Sequence, residues 1–245
     1  MVRSGPYDLN VHCIPESGDT IEEVVAVARR LGYSGIAITN PDSMKQLPFS
    51  GNVEGFDILS GVEIRADNAS KLHGIVGKYR NKVDIIAVSG GSESINRAAV
   101  ENPGVDLLVN LNIAQDSGFN HVLAKEASEN RVAISFDLGD LIHLKGGSRV
   151  QAVTNCRKNL LLIRKYNVPY VLTSNARSCF DMRAPRELAA LAALFGMSGE
   201  EAMAGLTTIP HSIIARSRPP AGYISEGVQL VYNEADTGNI DEGDR

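Results

Sequence analysis

The sequence predicts an α/β protein built on a seven-stranded parallel β-sheet. Seven short apolar segments alternate with segments of helical periodicity, and they begin roughly 25 residues apart. Segments such as 35–40 (GIAITN) and 84–90 (DIIAVSG) are almost continuously apolar, which is typical of parallel strands covered on both faces. Repeated strand–helix units of this length indicate parallel strands that are joined by crossover helices.

The strands follow one another along the whole body of the chain. The first, YDLNVH, alternates in polarity, and the later segments are mainly apolar runs of the length that strands favour. We predict strands at 7–12, 35–40, 58–64, 84–90, 106–112, 132–138 and 169–175.

The helices between the strands carry recognisable start and stop signals. Thr20 and Glu23 form a capping box before the first helix, and Gly32 stands where a left-handed residue usually ends one. Ser198 and Glu201 form a second capping box near the end of the body. We predict helices at 21–31, 70–79, 92–101, 120–130, about 149–166, about 185–195 and 199–206.

The sequence predicts a single domain, but it is compatible with either a closed or an open sheet. No linker divides the body, so we predict one α/β domain over 1–226. Residues 227–245 carry five acids and little apolar content, which predicts a flexible acidic tail. The sheet either closes as a TIM-barrel-like barrel or stays open and doubly wound. No G-x-G-x-x-G or G-x-x-x-x-G-K-[ST] follows a strand, which disfavours a nucleotide-binding open sheet.

The composition is that of a globular protein, with 43% hydrophobic and 22% charged residues. The absence of Trp argues against a protein that stacks many bases on aromatic rings. The three cysteines show no C-x-x-C spacing, which suits a reducing compartment. We find no apolar run long enough for a membrane span and no signal-peptide pattern at the N-terminus, so we expect a cytoplasmic protein.

One basic stretch stands out in this acidic protein. Residues 145–186 contain nine Lys or Arg and one acid, a balance of +8, whereas the whole chain has a formal net charge of −5. Clustered cations are expected where a protein binds phosphate groups. The alternative is a solvated helix face, which is what most charge runs are.

The helix predicted at 149–166 places these cations in rows. Residues seven apart on a helix lie about 20° from each other. The rows are therefore Arg157 with Arg164, and Lys158 with Lys165. Arg164 and Lys165 also suit a second role, because cations near a helix C-terminus complement its dipole. The side expected to face the sheet carries Val153, Cys156, Leu160 and Ile163.

Polar residues follow the predicted strands at the end where a parallel barrel has its functional face. The segments are Asp8-Leu9-Asn10-Val11-His12, Thr39-Asn40-Pro41, Gly61-Val62-Glu63 and Ser174-Asn175-Ala176-Arg177. They resemble the D-x-H-x-H, T-D-H, G-x-E and S-D-A-H patterns of the polymerase-and-histidinol-phosphatase metallophosphoesterase family. The resemblance implies a distorted β/α barrel of seven parallel strands and thus favours the TIM-barrel-like closure.

Most metal-ligand positions of that family hold other residue types here. Asn40 and Asn175 stand at carboxylate positions, and Asn10, Pro41 and Arg177 stand at histidine positions. An amide is a weak ligand, Pro has no ligand atom, and a guanidinium repels a cation. The residues that remain are Asp8, His12, Glu63 and Asp137. We therefore expect neither a metal site nor catalytic residues in this chain; a single weakly held metal near two of them, His12 and Glu63, is the alternative.

Further motifs lie in the basic stretch. They are Arg149, Asn155-x-Arg157-Lys158-Asn159-Leu160, Arg164-Lys165-Tyr166, Ser174-x-Ala176 and Arg183-x-Pro185-Arg186-Glu187-Leu188. Over about residues 5–215 the chain resembles the archaeal ribonuclease P protein component 3 family, whose eukaryotic members are shared with the mitochondrial-RNA-processing ribonuclease. The resemblance implies a degenerate barrel in a particle whose RNA catalyses removal of the 5′ leader from precursor tRNA.

The same resemblance implies partners and a binding site. The expected partners are ribonuclease P RNA, precursor tRNA, ribonuclease P protein component 2 in a heterodimer, and the other protein subunits, with no membrane. We expect no cofactor in this chain and magnesium with the catalytic RNA. The RNA-binding candidates are Arg149, Asn155, Arg157, Lys158, Arg164, Lys165, Ser174, Asn175, Arg177, Arg183 and Arg186.

Two other functions compete with this interpretation. One is a metal-dependent phosphoesterase with a reduced site around His12 and Glu63. The other is a protein-interaction scaffold whose basic face binds an acidic partner, such as the tail of this chain or another subunit. Neither a nucleophile elbow nor a pair of catalytic carboxylates supports an independent enzyme.

Overall fold

The computed structural model describes residues 5–44, 49–113 and 115–218, and the backbone of 223–225 and 228–229. Seven parallel strands follow one another in chain order around a nearly closed barrel, and an added hairpin strand, β3, pairs antiparallel with β4. The strands are β1 (Tyr7–Val11), β2 (Gly35–Ile38), β3 (Gly51–Val53), β4 (Phe56–Ile64), β5 (Ile85–Ser89), β6 (Leu107–Val109), β7 (Ala133–Asp137) and β8 (Tyr170–Thr173).

The first and last strands meet loosely, and this contact favours the barrel over the open sheet. Val11 forms a single parallel bridge with Ala176, and the His12 amide donates to the Ala176 carbonyl at 2.8 Å. Below this bridge the Ser174 amide donates to Asp8 Oδ2 at 3.0 Å. The predicted seven-stranded, TIM-barrel-like fold is confirmed.

The helices lie around the barrel at the predicted places, with two additions. They are α1 (Ile21–Leu31), α2 (Ala69–Tyr79), α3 (Glu93–Val100), α4 (His121–Glu129), α5 (Gly139–His143), α6 (Gly146–Tyr166), α7 (Pro185–Ala192), α8 (Gly199–Leu206) and α9 (Thr208–Ser217), and a 3₁₀ turn at Ala193–Phe195 extends α7. Both predicted capping boxes are present, and Gly32 ends α1 with a φ of 92°. The elements β3, α5 and α9 were not predicted from the sequence.

The interior of the barrel is a packed core that α9 closes at the amino-terminal end. Inward-facing residues of all seven parallel strands, such as Tyr7 and Leu59, form one buried cluster with Ile213 and Ile214 of α9. The larger cluster lies between the outer face of the sheet and the surrounding helices. The barrel is therefore not a channel, and any functional face lies at its other, carboxyl end.

Arginines at the end of α9 attach this helix to the strand starts. The Arg218 guanidinium donates to both oxygens of Asp84, at 2.7 and 2.8 Å, and to Asp57 at 2.9 Å. Arg216 donates to Asp106 Oδ1 at 2.8 Å. These ion pairs neutralise carboxylates that the strand starts place around the end of the barrel.

The chain beyond Arg218 is described only in part. Residues 223–225 (β9) and 228–229 (β10) pair as a two-stranded antiparallel ribbon. The predicted domain limit at 226 and, apart from 228–229, the predicted tail 227–245 lie outside the described residues. In the part of the chain that is described, no helix has the length and apolar character to cross a membrane.

Candidate functional site

The carboxyl ends of the strands bring the predicted polar residues together at one mouth of the barrel. Asn10 and His12 are fully buried there. Thr39 Oγ1 donates to Asn10 Oδ1 at 2.5 Å. Asn40, which stands at a carboxylate position of the metallophosphoesterase pattern, accepts a hydrogen bond from the Cys13 amide at 3.0 Å. Its amide group therefore holds the loop that follows β1.

The His12 ring has an oxygen facing each of its nitrogens. Nδ1 lies 2.6 Å from Glu16 Oε2, and Nε2 lies 3.0 Å from Asn175 Oδ1 and 3.7 Å from Glu63 Oε2. The ring thus joins the loop after β1 to the ends of β4 and β8.

Arg65 supplies the positive charge in this mouth. Its guanidinium donates to both oxygens of Glu63, each at 2.9 Å, and to Glu16 Oε1 at 2.8 Å. Glu63 is fully buried, whereas the Arg65 side chain is 39% exposed and closes the mouth from the solvent side. Bidentate geometry makes this the strongest kind of arginine–carboxylate contact.

The pKa of Glu16 is lowered by its charged and polar neighbours, among them Arg65. Burial raises the pKa of Glu16, but the close contact with His12 and the hydrogen bond and ion pair with Arg65 outweigh burial and lower the pKa to about 2. Arg177 adds a more distant positive charge at 3.6 Å from Glu16 Oε1. The carboxylate is therefore held in its charged form by cations that belong to the protein.

Amide side chains link the remaining strand ends. Asn175 has a φ of 49°, and its Nδ2 donates to Asn110 Oδ1 at 3.2 Å. Asn110 in turn donates to Glu63 Oε1 at 3.1 Å. Amides can both donate and accept, so they connect one another and the carboxylate in a way that paired carboxylates cannot.

Two further buried carboxylates, Asp8 and Asp137, are engaged in hydrogen bonds with the protein. Asp8 accepts from the backbone amides of Asn10 and Ser174, and burial raises its pKa to about 6 although these bonds oppose the shift. Asp137 accepts from the Ser135 hydroxyl at 2.6 Å, and burial raises its pKa as well. Both side chains satisfy buried donors at the strand ends.

The residues of the mouth do not fit the metal centre that the metallophosphoesterase pattern implies. Within the described ranges, no three His, Cys, Asp or Glu side chains are grouped so that they hold a metal ion. The guanidinium of Arg65 lies against the two glutamates instead, and a metal cation beside it would be repelled. The side chains of the mouth are instead joined to one another by hydrogen bonds and ion pairs.

Two predicted RNA-binding residues are buried. Asn155 is 0% and Ser174 1% exposed. Asn155 Nδ2 donates to the Asn112 carbonyl at 3.1 Å, and Ser174 Oγ accepts from the Ala176 amide at 3.2 Å. Neither side chain offers a solvent-facing surface to RNA, because both are used to hold α6 and the loop after β8.

Three predicted arginines reach the surface but are bound to the protein. Arg149 donates to backbone carbonyls at the end of α5, the nearer at 2.7 Å. Arg183 likewise donates to carbonyls of its own loop, at 2.7 and 2.8 Å. Arg164 forms a bidentate pair with Glu201, at 2.7 Å for each bond, and this contact lowers the pKa of Glu201 to about 2. The charge of Arg164 is therefore balanced by a carboxylate, whereas the charges of Arg149 and Arg183 are not balanced by an acid in the described chain.

The other predicted cations lie on α6, in the loop after β8 and at the start of α7, and their side chains are exposed. The side chains of Lys158 and Arg186 have no hydrogen bond or ion pair within the described chain. Lys165 lies over the ring of Tyr166, with 5.2 Å between Nζ and the ring centroid. Arg157 donates to a backbone carbonyl at 3.3 Å. On α6 the predicted inward residues Cys156, Leu160 and Ile163 are buried, whereas Val153 is half-buried.

Arg65 and Glu16 were not among the predicted site residues. A signal for them exists in the spacing: Arg65 lies two residues after Glu63, on the same side of an extended segment, and Glu16 lies four residues after His12. Neither residue belongs to the metal-ligand motifs, and those motifs contain no cation that would point to Arg65.

The fold and the mouth define a seven-stranded β/α barrel whose carboxyl end is filled by amides, carboxylates and a guanidinium. Residues 5–219 match the protein family described as RNase P subunit p30. The chain therefore belongs to the RNase P subunit p30 family. It is 51% identical over 230 residues to the ribonuclease P protein component 3 of Methanococcoides burtonii, which covers 94% of this chain and 95% of the relative.

Solved structures agree with this assignment. A chain in a cryo-electron microscopy structure of archaeal ribonuclease P with mature tRNA superposes with a TM-score of 0.77 and 27% identity, over 93% of this chain and 99% of that chain. The histidinol phosphate phosphatase of Lactococcus lactis, solved with zinc, L-histidinol and phosphate, superposes with a TM-score of 0.54 and 11% identity, over 80% of this chain and 98% of that one. The second likeness shows a shared barrel fold alone.

Proposed function

We propose that the chain is a protein subunit of ribonuclease P and assists the catalytic RNA in endonucleolytic removal of the 5′ leader from precursor tRNA. The observation that carries the proposal is membership of the RNase P subunit p30 family over 5–219. The mouth of the barrel supports it, because Arg65 and the surrounding amides leave no open position for a metal-activated water. Chemistry belongs to the RNA, with which magnesium acts, and the chain holds no cofactor.

The subunit works inside an assembly in the cytoplasm. Its partners are ribonuclease P RNA, precursor tRNA, ribonuclease P protein component 2 in a heterodimer, and the other protein subunits. The match to a chain of archaeal ribonuclease P over 99% of that chain's length supports this assembly. The formal net charge of −5 means that affinity for RNA is confined to a limited face of the molecule.

The RNA contacts come from the exposed cations of the basic stretch. Lys158 and Arg186 are not engaged by an acid in the described chain, and Arg177 lies 3.6 Å from Glu16 while its side chain stays 54% exposed. Such cations bind phosphates without reading sequence, and they release condensed counterions when they do. Arg164 contributes less, because Glu201 already neutralises it.

Charge-removing variants test these contacts in the assembled particle. We expect Lys158→Gln with Arg177→Gln and Arg186→Gln to weaken assembly on the catalytic RNA, and to reduce the log–log salt slope by about 0.7 to 0.9 for each phosphate that is no longer neutralised. The fold should survive, because none of the three side chains is buried. Arg30→Gln, on the exposed side of α1, is the matched control. An unchanged salt slope in the triple variant would contradict the assignment of RNA contacts.

A further inference from the structure

The outer face of α6 carries aliphatic residues among its cations. Val150 is 67% and Leu161 61% exposed. At about 100° per residue, Val150, Arg157 and Leu161 fall within an arc of about 40° on the helix. These three residues define an outer stripe that runs along α6 and mixes apolar and basic side chains.

The stripe continues onto the end of α7. Arg157 Nη2 donates to the Leu194 carbonyl at 3.3 Å, and Arg164, two turns further along, donates to the Gly196 carbonyl at 2.8 Å. The Leu194 side chain itself is 56% exposed. Leu194 therefore extends the apolar surface of the stripe across to the neighbouring element.

Leu194 also lines a groove between α5 and α7. The groove has a volume of about 420 Å³ and is lined by Ile142, Arg183, Glu187, Ala190, Leu191 and Leu194. Most of its lining is aliphatic. Leu194 lines the groove and adjoins the stripe through the contact of its carbonyl with Arg157, so stripe and groove form a continuous surface, which we call the α6–α7 surface.

Two arginines border this apolar surface, and neither has an acidic partner within the described chain. Arg157 and Arg183 donate to backbone carbonyls, which do not neutralise their charge. Glu187, the acid in the groove lining, accepts a hydrogen bond from the Ala184 amide at 2.8 Å. A complementary partner must carry negative charge at its rim and apolar residues at its centre.

The aliphatic centre distinguishes a protein partner from RNA. Single-stranded RNA is held by aromatic stacking and by hydrogen bonds to base edges, and helical RNA by contacts with phosphates and 2′-hydroxyls. Val150, Leu161 and Leu194 offer none of these contacts. An amphipathic helix lays its apolar face along such a surface through residues spaced by three, four and seven. From Val150 to Leu161 the stripe spans about 16 Å, which is the length of three helical turns.

We infer that the α6–α7 surface binds an acidic, amphipathic helix of another protein subunit of the particle. The inference rests on the proposed function, since it takes the partner from the ribonuclease P proteins. It gives Arg157 a role at the rim of a protein interface rather than on RNA. It leaves Lys158 for RNA, because that side chain points about 100° away from Arg157 around α6.

Substitutions of exposed apolar residues separate a protein partner from RNA. The test variant is Leu161→Ser with Leu194→Ser, which keeps every charge, and the matched control is Val122→Ser, which alters an exposed apolar residue on α4. Each purified protein is titrated with the other purified ribonuclease P proteins, one at a time, and separately with the catalytic RNA. Both substituted leucines are exposed, so the fold is retained, and thermal unfolding checks this.

We expect the double variant to lose at least tenfold in affinity for one of the protein subunits, and to bind RNA as the wild type does. The Val122→Ser control should match the wild type for both. Equal affinity for every protein subunit would overturn the inference, as would wild-type protein that binds none of them. A loss of RNA affinity instead would make this an RNA-binding surface. Failure of the wild type to stimulate tRNA processing, by contrast, would count against the proposed function itself.

Discussion

At the mouth of the barrel, Arg65 supplies the positive charge that balances the carboxylates of Glu16 and Glu63. Arg65 binds buried Glu63 through both carboxylate oxygens and reaches Glu16 as well. A carboxylate fully removed from water is costly unless a cation or several donors accompany it. The guanidinium provides that compensation permanently, which a dissociable metal ion does not.

Removing the guanidinium should therefore destabilise the fold. We expect Arg65→Ala to lower the free energy of unfolding by about 3 kcal/mol, because it leaves the buried carboxylate of Glu63 uncompensated. Chemical denaturation measures the change. Arg97→Ala is the control, since Arg97 pairs with exposed Glu93 and Glu101 at 3.6 Å and should cost less than about 1 kcal/mol. Equal losses in the two variants would contradict the role given to Arg65.

The low pKa of Glu16 predicts a specific dependence on acid. Its folded pKa of about 2 lies below the ordinary value of 4.5, so the folded state binds fewer protons than the unfolded chain between these values. The stability that Glu16 contributes is complete above pH 4.5 and is lost as the pH falls toward 2. Glu16→Gln should flatten the decline of unfolding free energy over this range, whereas Glu129→Gln, at an exposed position on α4, should leave it unchanged. A decline as steep in Glu16→Gln as in the wild type would refute this.

At the scale of elements, α9 closes the barrel and is held by arginine rather than by packing alone. Arg218 contacts Asp57 and Asp84, two carboxylates at neighbouring strand starts. Burial raises the pKa of Asp84, but the hydrogen bonds from Arg218 and Ser50 outweigh it, and the net shift is downward. The helix thus neutralises charge that β4 and β5 bring together.

Arg218→Ala should loosen this end of the molecule. We expect a loss of about 2 to 3 kcal/mol in unfolding free energy, because two partly buried aspartates would face each other without a cation. Hydrogen exchange at the β4 and β5 amides should accelerate in the variant, which distinguishes a local opening from a uniform effect. Unaltered exchange at these strands, together with wild-type stability, would show that packing alone holds α9.

The elements that the sequence predicted are those with local signals. Capping boxes at Thr20 and Ser198 and continuous apolar runs depend on neighbours in the chain, so they can be recognised without the fold. By contrast α9 contains Pro210, and its place is set by the barrel interior and by Asp57, Asp84 and Asp106 from distant strands. Likewise α5 is a single short turn after β7, and β3 exists only as a partner of β4.

The candidate site was predictable to a similar degree. The strand-end positions of Asn10, His12, Asn40, Glu63 and Asn175 follow from the alternation of βα units, and the structure places them at one mouth. Their partners do not follow from local patterns, because Arg65 becomes the central cation only when Glu16 and Glu63 come together in space. Burial of Asn155 and Ser174 is equally a property of the assembled barrel.

At the scale of the whole molecule, the mouth of the barrel and its outer surface differ in character. The mouth of the barrel is closed by internal ion pairs and amides. Its outward features are a set of exposed cations and an apolar surface between α6 and α7. These features support the proposed role of a subunit that acts through the partners it positions.

Cleavage of precursor tRNA in a reconstituted particle tests this most directly. The catalytic RNA and the other protein subunits are combined with or without this chain at limiting magnesium, and the chain is also assayed alone. We predict that omission slows removal of the 5′ leader, that adding the chain back restores it, and that the chain alone cleaves nothing. Undiminished processing without the chain, or cleavage by the chain alone that His12→Ala abolishes, would contradict its role as a non-catalytic subunit.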